Sequence, residues 1–422
     1  MGHYSLLALI FLILIALCKG QEEIETVSVD SDGRTHNEDR RLADLDSVPD
    51  ELPPTALKYT QVPGPPPQQY WVEFINESDE VVELYYDNGR DGVLQGVLRP
   101  NEVIKIGTYQ GHQFYYQHPG HSHEKLYWTT MKYGVNQLIF KTEEQRKLEE
   151  EKLKKEAAAF QKFYKEQKGI EWESFYPRPK PVLYMYPVTE IGQTFQVKTN
   201  YTHLKCYPQS FVNKKELKKC LIEKKPITLE WSVLSVKPKV LLLKNFLSPF
   251  ECQHIIDLAQ PLLRRSQVGA QAFEDLTRTS STAWVKRSFT EAVDWIFRRI
   301  AHAINIDHFH LWDTIGAESL QVVRYQLKQY YRPHHDWRNN REQMRFLTFL
   351  IYLNNQVSNS SGGETHFPRI DLKVHPGQGS VVMFYNMLED GNADTLTLHE
   401  AMPVLEGEKW LSNCWVWDPN FS

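Results

Sequence analysis

The chain has 422 residues, 41% hydrophobic and 24% charged, which is ample for a packed core and points to two or three domains. A formal net charge of -5 leaves no basic footprint for a nucleic-acid partner. In chain order, residues 6–17, LLALIFLILIAL, form an apolar run too short to span a bilayer comfortably, followed by CKGQ with small residues at Cys18 and Gly20. Residues 1–20 therefore read as a cleaved secretory signal, although no Lys or Arg opens it. A membrane anchor is the alternative. No other run approaches membrane length, so no span is expected in the mature chain.

Cleavage would leave Cys206, Cys220, Cys252 and Cys414, an even number suited to an oxidising compartment. Cys206 and Cys220 lie close together in a polar stretch and are the first expected bridge; the other two read as buried thiols. Asn76, Asn200, Asn359 and Asn420 each open an Asn-x-Ser/Thr triplet, as in a glycoprotein that passes through the endoplasmic reticulum. The expected location is the lumen of that compartment or the outside of the cell.

Residues 21–69 turn from acidic to proline-rich, ending VPGPPPQQ, and are expected to be a disordered linker. Over residues 70–141, the short alternating runs YWVEFIN, VVELYYDNGRDG, EVIKIG and QFYYQ predict a small β-sandwich. Residues 142–169 predict one exposed, charge-rich helix closed by Gly169, with Glu/Lys pairs four apart. Residues 170–227 read as a connecting region. A larger domain is expected over 228–418. It starts with a strand and a helix that Ser248 caps and Glu251 supports, with Ile255, Ile256, Leu258 and Leu262 on its apolar face. A second helix falls near Glu291–Ala303, and then come the strands LQVVRYQ, YYRPHHDW, FLTFLIYLN, VVMFYN and LSNCWVWD. Turns such as SSGGE and PGQG between strands of mixed burial point to two packed sheets.

The segment YYRPHHDWRN holds two adjacent histidines and an aspartate. Strand alternation puts His334 and Asp336 on one face and His335 on the other, so only the first pair can chelate. With 16 histidines in the chain, about one His-x-Asp triplet is expected by chance, so the triplet needs further ligands to carry weight. Those follow in GGETHFP and in LTLHEAMPVLEGEKW, which place His399 ten residues before Lys409; His366 reads as structural.

The order His334, Asp336, His399, Lys409 resembles the two-histidine, one-carboxylate site of the 2-oxoglutarate dioxygenases. More closely, Lys237–Trp417 resembles the catalytic domain of prolyl 4-hydroxylases through NFLSPFEC, RTSSTAW, ESLQVVRYQLKQYYRPHHD, RFLTFLIYLN, GGETHFP and HEAMPVLEGEKW. The resemblance implies a mainly β, α+β chain: a double-stranded β-helix (jelly roll) with flanking helices, behind the N-terminal sandwich. It implies Fe(II) on His334, Asp336 and His399, and 2-oxoglutarate held by Lys409 and Tyr325 with help from Thr365. Dioxygen is the oxidant and ascorbate the usual reductant. Lysine at 409 suits the collagen and plant cell-wall branch, where oxygen-sensing prolyl hydroxylases and lysyl hydroxylases carry arginine. The substrate would be a proline-rich peptide in a groove lined by Arg278, Ser280, Trp284, Glu318, Tyr331, Arg345 and Trp415. In the family's YxxGQxY pattern the glycine is Lys328 here. A hydroxylase acting on lysine or another proline carbon, and a non-catalytic proline-binding protein, are the alternatives.

Within residues 70–141, GVLRPNEVIKIGTYQGHQFYY resembles the β-domain of the von Hippel-Lindau protein, which recognises hydroxyproline. Thr108, Tyr109, Gly111 and His112 match its pocket, with Thr108 and His112 read on one strand face. Phe114 replaces a tryptophan of that family and Gln95 a pocket tyrosine. A β-sandwich spacer that merely keeps the fold is the first reading for this domain; hydroxyproline binding, with the charged helix as tether, is the hypothesis that the resemblance adds.

Overall fold

The computed structural model describes residues 58–419 except 65–68, 122–124, 132–134, 175, 177–179, 267–277, 314, 338–343 and 359. The signal reading, most of the linker, Asn359 and Asn420 lie outside the described residues. Those described fall into two compact units, one within 66–179 and one that joins 58–64 to 180–419.

The first unit has seven strands, β1 (Tyr70–Asn76), β2 (Val82–Asp87), β3 (Val93–Leu98), β4 (Val103–Thr108), β5 (Gln113–Gln117), β6 (Tyr127–Thr130) and β7 (Gln137–Phe140), of which β1, β2 and β7 alternate buried and more open side chains. They form two sheets, β4-β1-β7 and β3-β2-β5-β6. Val72, Phe74, Val82, Leu84, Phe114, Tyr116, Leu138 and Phe140 fill the space between them. Thr108 and His112 do not share a strand: Thr108 ends β4, Gly111 turns the chain at φ 84°, and His112 precedes β5. The turn brings Thr108 Oγ1 within 3.1 Å of His112 Nδ1, so the two polar groups satisfy each other. Helix α1 (Glu143–Lys168) follows, with a Thr142–Gln145 capping box and Gly169 in the left-handed C-terminal position. Tyr164 is its one buried residue.

The second unit contains β8 (Thr194–Thr199), β9 (Ile227–Ser235), β10 (Val240–Leu243), β11 (Arg264–Arg265), β12 (Ser281–Val285), β13 (Leu320–Tyr325), β14 (Tyr331–His334), β15 (Arg345–Tyr352), β16 (Thr365–Phe367), β17 (Leu372–Val374), β18 (Val381–Tyr385), β19 (His399–Ala401) and β20 (Lys409–Trp417). A nine-stranded sheet, β11-β12-β13-β20-β15-β18-β10-β9-β8, lies against a four-stranded sheet, β14-β19-β16-β17, in the manner of a double-stranded β-helix. Val323, Leu350, Val382, Phe384 and Leu411 of the large sheet pack with Phe367, Val374 and Ala401 of the small one. The flanking helices include α2 (Lys214–Cys220), α3 (Pro249–Ala259) and α4 (Glu291–Ala303). Ser248 and Glu251 form the capping box of α3.

Two boundaries differ from expectation. The stretch 170–227 is no mere connector, because β8 pairs with β9 over six residues and extends the large sheet. Its Thr-Phe-Gln-Val-Lys-Thr alternation is a strand pattern whose partner lies about 30 residues on. A Cys206–Cys220 disulfide ties the following loop, while Cys252 and Cys414 are buried thiols. Residues 58–64, placed in the linker by the sequence, pack on the second unit: Val62 N–H bonds the Ser288 carbonyl at 3.1 Å, and Tyr59 packs on Tyr207 and His254.

Candidate active site

Strand pairing assembles the site. β14 lies antiparallel to β19 with His334 opposite His399, so the two imidazoles come from neighbouring strands of the small sheet. Asp336 follows two residues after the end of β14. His334 Nε2 lies 3.6 Å from Asp336 Oδ1, and His399 Nε2 lies 3.7 Å from Asp336 Oδ2. One ligand atom from each residue falls within 4.8 Å of the others, the sole such cluster of three metal-ligand groups among the described residues. Each imidazole donates from Nδ1 to a carbonyl, His334 to Arg332 at 2.8 Å and His399 to Thr397 at 3.0 Å. That fixes the tautomer and leaves both Nε2 lone pairs for a metal.

Burial alone would raise the pKa of the Asp336 carboxyl. The neighbouring His399 and His334, Arg345, and a hydrogen bond from the Thr348 hydroxyl at 2.7 Å together hold its carboxyl below the usual range. Burial, with His399 alongside, keeps His334 deprotonated. One carboxylate and two imidazoles in one largely buried cluster are the donor set that fits Fe(II) with open positions. His335 turns away and stacks on Trp337, 4.5 Å between ring centres. His366 donates from Nδ1 to the Glu400 carboxylate at 2.8 Å and takes no part in the cluster.

At the other end of the inter-sheet space, Lys409 opens β20 directly opposite Tyr325 of β13. The lysine is buried, and burial lowers its pKa to about 7. Nζ donates to the Gly363 carbonyl at 2.6 Å and approaches Thr365 Oγ1 at 3.4 Å. The rings of Tyr325 and Tyr352 flank it at 5.8 and 5.4 Å. No carboxylate forms an ion pair with it among the described residues, which suits a pocket that receives an anion. Tyr352, whose hydroxyl lies 2.6 Å from Thr365 Oγ1, was not singled out from the sequence.

The expected groove residues fall into two clusters. Arg278 pairs with Tyr331 in an isolated bridge, sits 4.9 Å above its ring and bonds Ser280, Thr282 and Gln321. Tyr331 in turn stacks on His334 at 3.6 Å. Arg345 forms a two-pronged pair with Glu318 at 2.6 and 2.9 Å, donates to the Asp336 carbonyl at 3.1 Å and lies 3.6 Å from the Trp415 ring centre. Trp284 packs on Trp415 at 6.2 Å. Both clusters thus touch the metal-ligand segment, one through His334 and one through Asp336. Glu318 is already engaged by Arg345 rather than standing open to a peptide.

Residues 320–417 match the 2OG-Fe(II) oxygenase superfamily, the class that this cluster and its lysine-floored pocket define. Prolyl 4-hydroxylase 13 of Arabidopsis thaliana is 32% identical over 208 residues, which cover 44% of this chain and 74% of the plant protein. The human prolyl 4-hydroxylase subunit alpha-1 is 32% identical over 200 residues, covering 44% of this chain and 35% of the human one. Among solved structures, the 2OG complex of a viral collagen prolyl hydroxylase from Paramecium Bursaria Chlorella virus-1 is 27% identical, with a TM-score of 0.35 over 42% of this chain and 95% of the viral one. The chain belongs to the prolyl 4-hydroxylase family. It is a 2-oxoglutarate dioxygenase, and its cofactors are Fe(II), 2-oxoglutarate and dioxygen.

Lys328, which stands at the family's glycine, has φ 64°, the left-handed region that glycine enters without cost. Its N–H bonds the Val404 carbonyl at 2.7 Å, so the turn keeps its shape despite the side chain.

Proposed function

We propose that this enzyme hydroxylates C4 of peptidyl proline in proteins of the secretory pathway, collagen-like or hydroxyproline-rich, from within the endoplasmic reticulum lumen or after secretion. The observation that carries the reading is the pairing of the His334–Asp336–His399 cluster with a buried Lys409 that lacks an anionic partner among the described residues. In this reading the three ligands hold iron, and Lys409, Tyr325 and Thr365 hold the far carboxylate of oxoglutarate. With iron bound, oxoglutarate and dioxygen yield succinate and carbon dioxide, and one oxygen atom enters a C–H bond of the substrate. The protein aligns the reactants and excludes water through the apolar packing of Phe367 and Phe384 against His399. Ascorbate is the expected reductant.

An extended proline-rich peptide would lie across Tyr331, Arg278 and Ser280 on one side and Trp415, Trp284 and Arg345 with Glu318 on the other. Polyproline II segments present free carbonyls and stack on aromatic rings, which matches this mixture. The Trp415 indole N–H is buried with no hydrogen-bond partner among the described residues. The Cys206–Cys220 disulfide supports an oxidising compartment. Asn200 is exposed and can carry glycan, whereas Asn76 is buried with its amide spent on the Glu80 and Leu98 carbonyls. For the first unit the proposal is hydroxyproline binding at the corner formed by Tyr86, Tyr109 and His112. The test of the main reading is incubation with proline-rich peptides. One added oxygen on proline, dependent on Fe(II) and oxoglutarate, supports it; an unmodified peptide during oxoglutarate turnover would place the substrate elsewhere.

A further inference from the structure

We infer that Asn386 is a positioning residue for the metal site, joining the Asp336 carboxylate to the loop that carries His399. Asn386 follows β18 and touches neither the carboxylate nor an imidazole. Its Nδ2 donates to Thr348 Oγ1 at 3.0 Å, and that hydroxyl donates to Asp336 Oδ2 at 2.7 Å. A hydroxyl has one proton and two lone pairs. With the Asn386 amide on a lone pair, the Thr348 proton points at the carboxylate, which fixes the carboxylate plane and leaves Oδ1 for the metal.

The backbone of the same asparagine reaches the other ligand. Its carbonyl accepts from Asp394 N–H at 2.9 Å; the Asp394 carbonyl accepts from the Thr397 N–H at 3.2 Å and hydroxyl at 2.6 Å; and the Thr397 carbonyl accepts from His399 Nδ1 at 3.0 Å. Thr348, Asn386 and Thr397 are all fully buried, so water does not compete for these bonds. Asp336 lies in the bend beyond β14 and His399 opens β19, and this chain of bonds sets their separation. Asn386 Oδ1 has no partner among the described residues, a cost that an apolar residue of the same shape would not carry. Retaining the amide therefore points to its donor.

The inference rests on His334, Asp336 and His399 being the metal ligands. Co(II) binding to the full-length protein, followed by its visible ligand-field spectrum and by titration, tests it without turnover. Wild-type protein that fails to bind Co(II) would sink the ligand assignment itself. Given binding, Asn386→Leu and Thr348→Val are expected to fold with melting temperatures near wild type, to bind Co(II) about 10–100-fold more weakly and to shift the spectrum. Thr348→Ser, which keeps the hydroxyl, should stay within about 3-fold of wild type. Because Asn386 acts through Thr348, adding Asn386→Leu to Thr348→Val should weaken binding by no more than about 2-fold further. Wild-type affinity and spectrum in Asn386→Leu would overturn the inference, as would fully additive losses in the double variant. Should Asn386→Leu not fold, unchanged Co(II) binding by Thr348→Val overturns it equally.

Discussion

Thr348 and Tyr352 lie four residues apart on one face of β15, and each serves a different end of the active site. Thr348 bonds the metal-binding carboxylate of Asp336, while Tyr352 bonds Thr365 beside Lys409. Leu350 between them belongs to the inter-sheet core. One fully buried strand therefore sets the distance between metal and cosubstrate anchor.

Tyr352→Phe removes the hydroxyl that holds Thr365 and leaves the ring against Lys409. The expected result is a rise of about 3–10-fold in the KM for oxoglutarate, corresponding to about 1 kcal/mol for one hydrogen bond, with kcat within about 2-fold. Steady-state kinetics with oxoglutarate varied would show it; a fall in kcat at constant KM would place Tyr352 in the chemistry instead.

The pH dependence of oxoglutarate affinity follows from Lys409. Burial brings its pKa down to about 7, so the empty pocket holds a charged lysine below that pH and a neutral one above it. The dianionic cosubstrate needs the charged form, so binding above pH 7 takes up a proton. Affinity should be flat below about pH 6.5 and fall by up to about tenfold per unit above pH 7.5. Calorimetry in buffers of different ionisation enthalpy reads that proton directly. Lys409→Ala should chiefly weaken oxoglutarate binding at every pH, and Lys409→Arg should flatten the profile if the variant binds.

Alanine at His334, Asp336 or His399 is expected to abolish hydroxylation and metal binding, whereas His335→Ala keeps most of both. His335 stacks on Trp337 and gives no atom to the cluster. Metal content by elemental analysis, beside peptide mass spectrometry, separates the two groups; a folded His335→Ala that loses metal would reverse the assignment.

Lys328→Gly should raise stability by about 0.5–1 kcal/mol. The left-handed backbone there costs a side-chain-bearing residue about 1–2 kcal/mol, and the added freedom of glycine in the unfolded chain offsets part of the gain. Chemical denaturation measures the difference, and a destabilised variant would show that the Lys328 side chain contributes contacts of its own.

The pairing of His334 with Asp336 was legible from their spacing, and their ligand atoms lie 3.6 Å apart, although β14 ends at His334 and Asp336 sits in the bend beyond it, so strict strand alternation is not what joins them. Lys409 was legible only through the resemblance to the 2-oxoglutarate dioxygenases, since a lysine in EGEKW reads equally well as a surface residue. Thr348 and Tyr352 were not, because in FLTFLIYLN a threonine and a tyrosine are ordinary strand formers, and only the fold shows what their hydroxyls meet. Asn386 was hidden for a similar reason, at the end of an apolar strand. The pairing of β8 with β9 and the turn at Gly111 were misread, since each depends on a partner or a backbone angle that local composition does not record.

In the proposed function, the cluster of His334, Asp336 and His399 with Lys409 supports oxidation of C4 of peptidyl proline. The most direct test of that function is reaction of the full-length enzyme with a proline-rich peptide, Fe(II) and oxoglutarate under isotopically heavy dioxygen, followed by peptide mass spectrometry and succinate quantification. The account predicts 4-hydroxyproline carrying one heavy oxygen, with one succinate formed per hydroxyl. Hydroxylation at another proline carbon or at lysine, or succinate production with the peptide left unmodified, would contradict it.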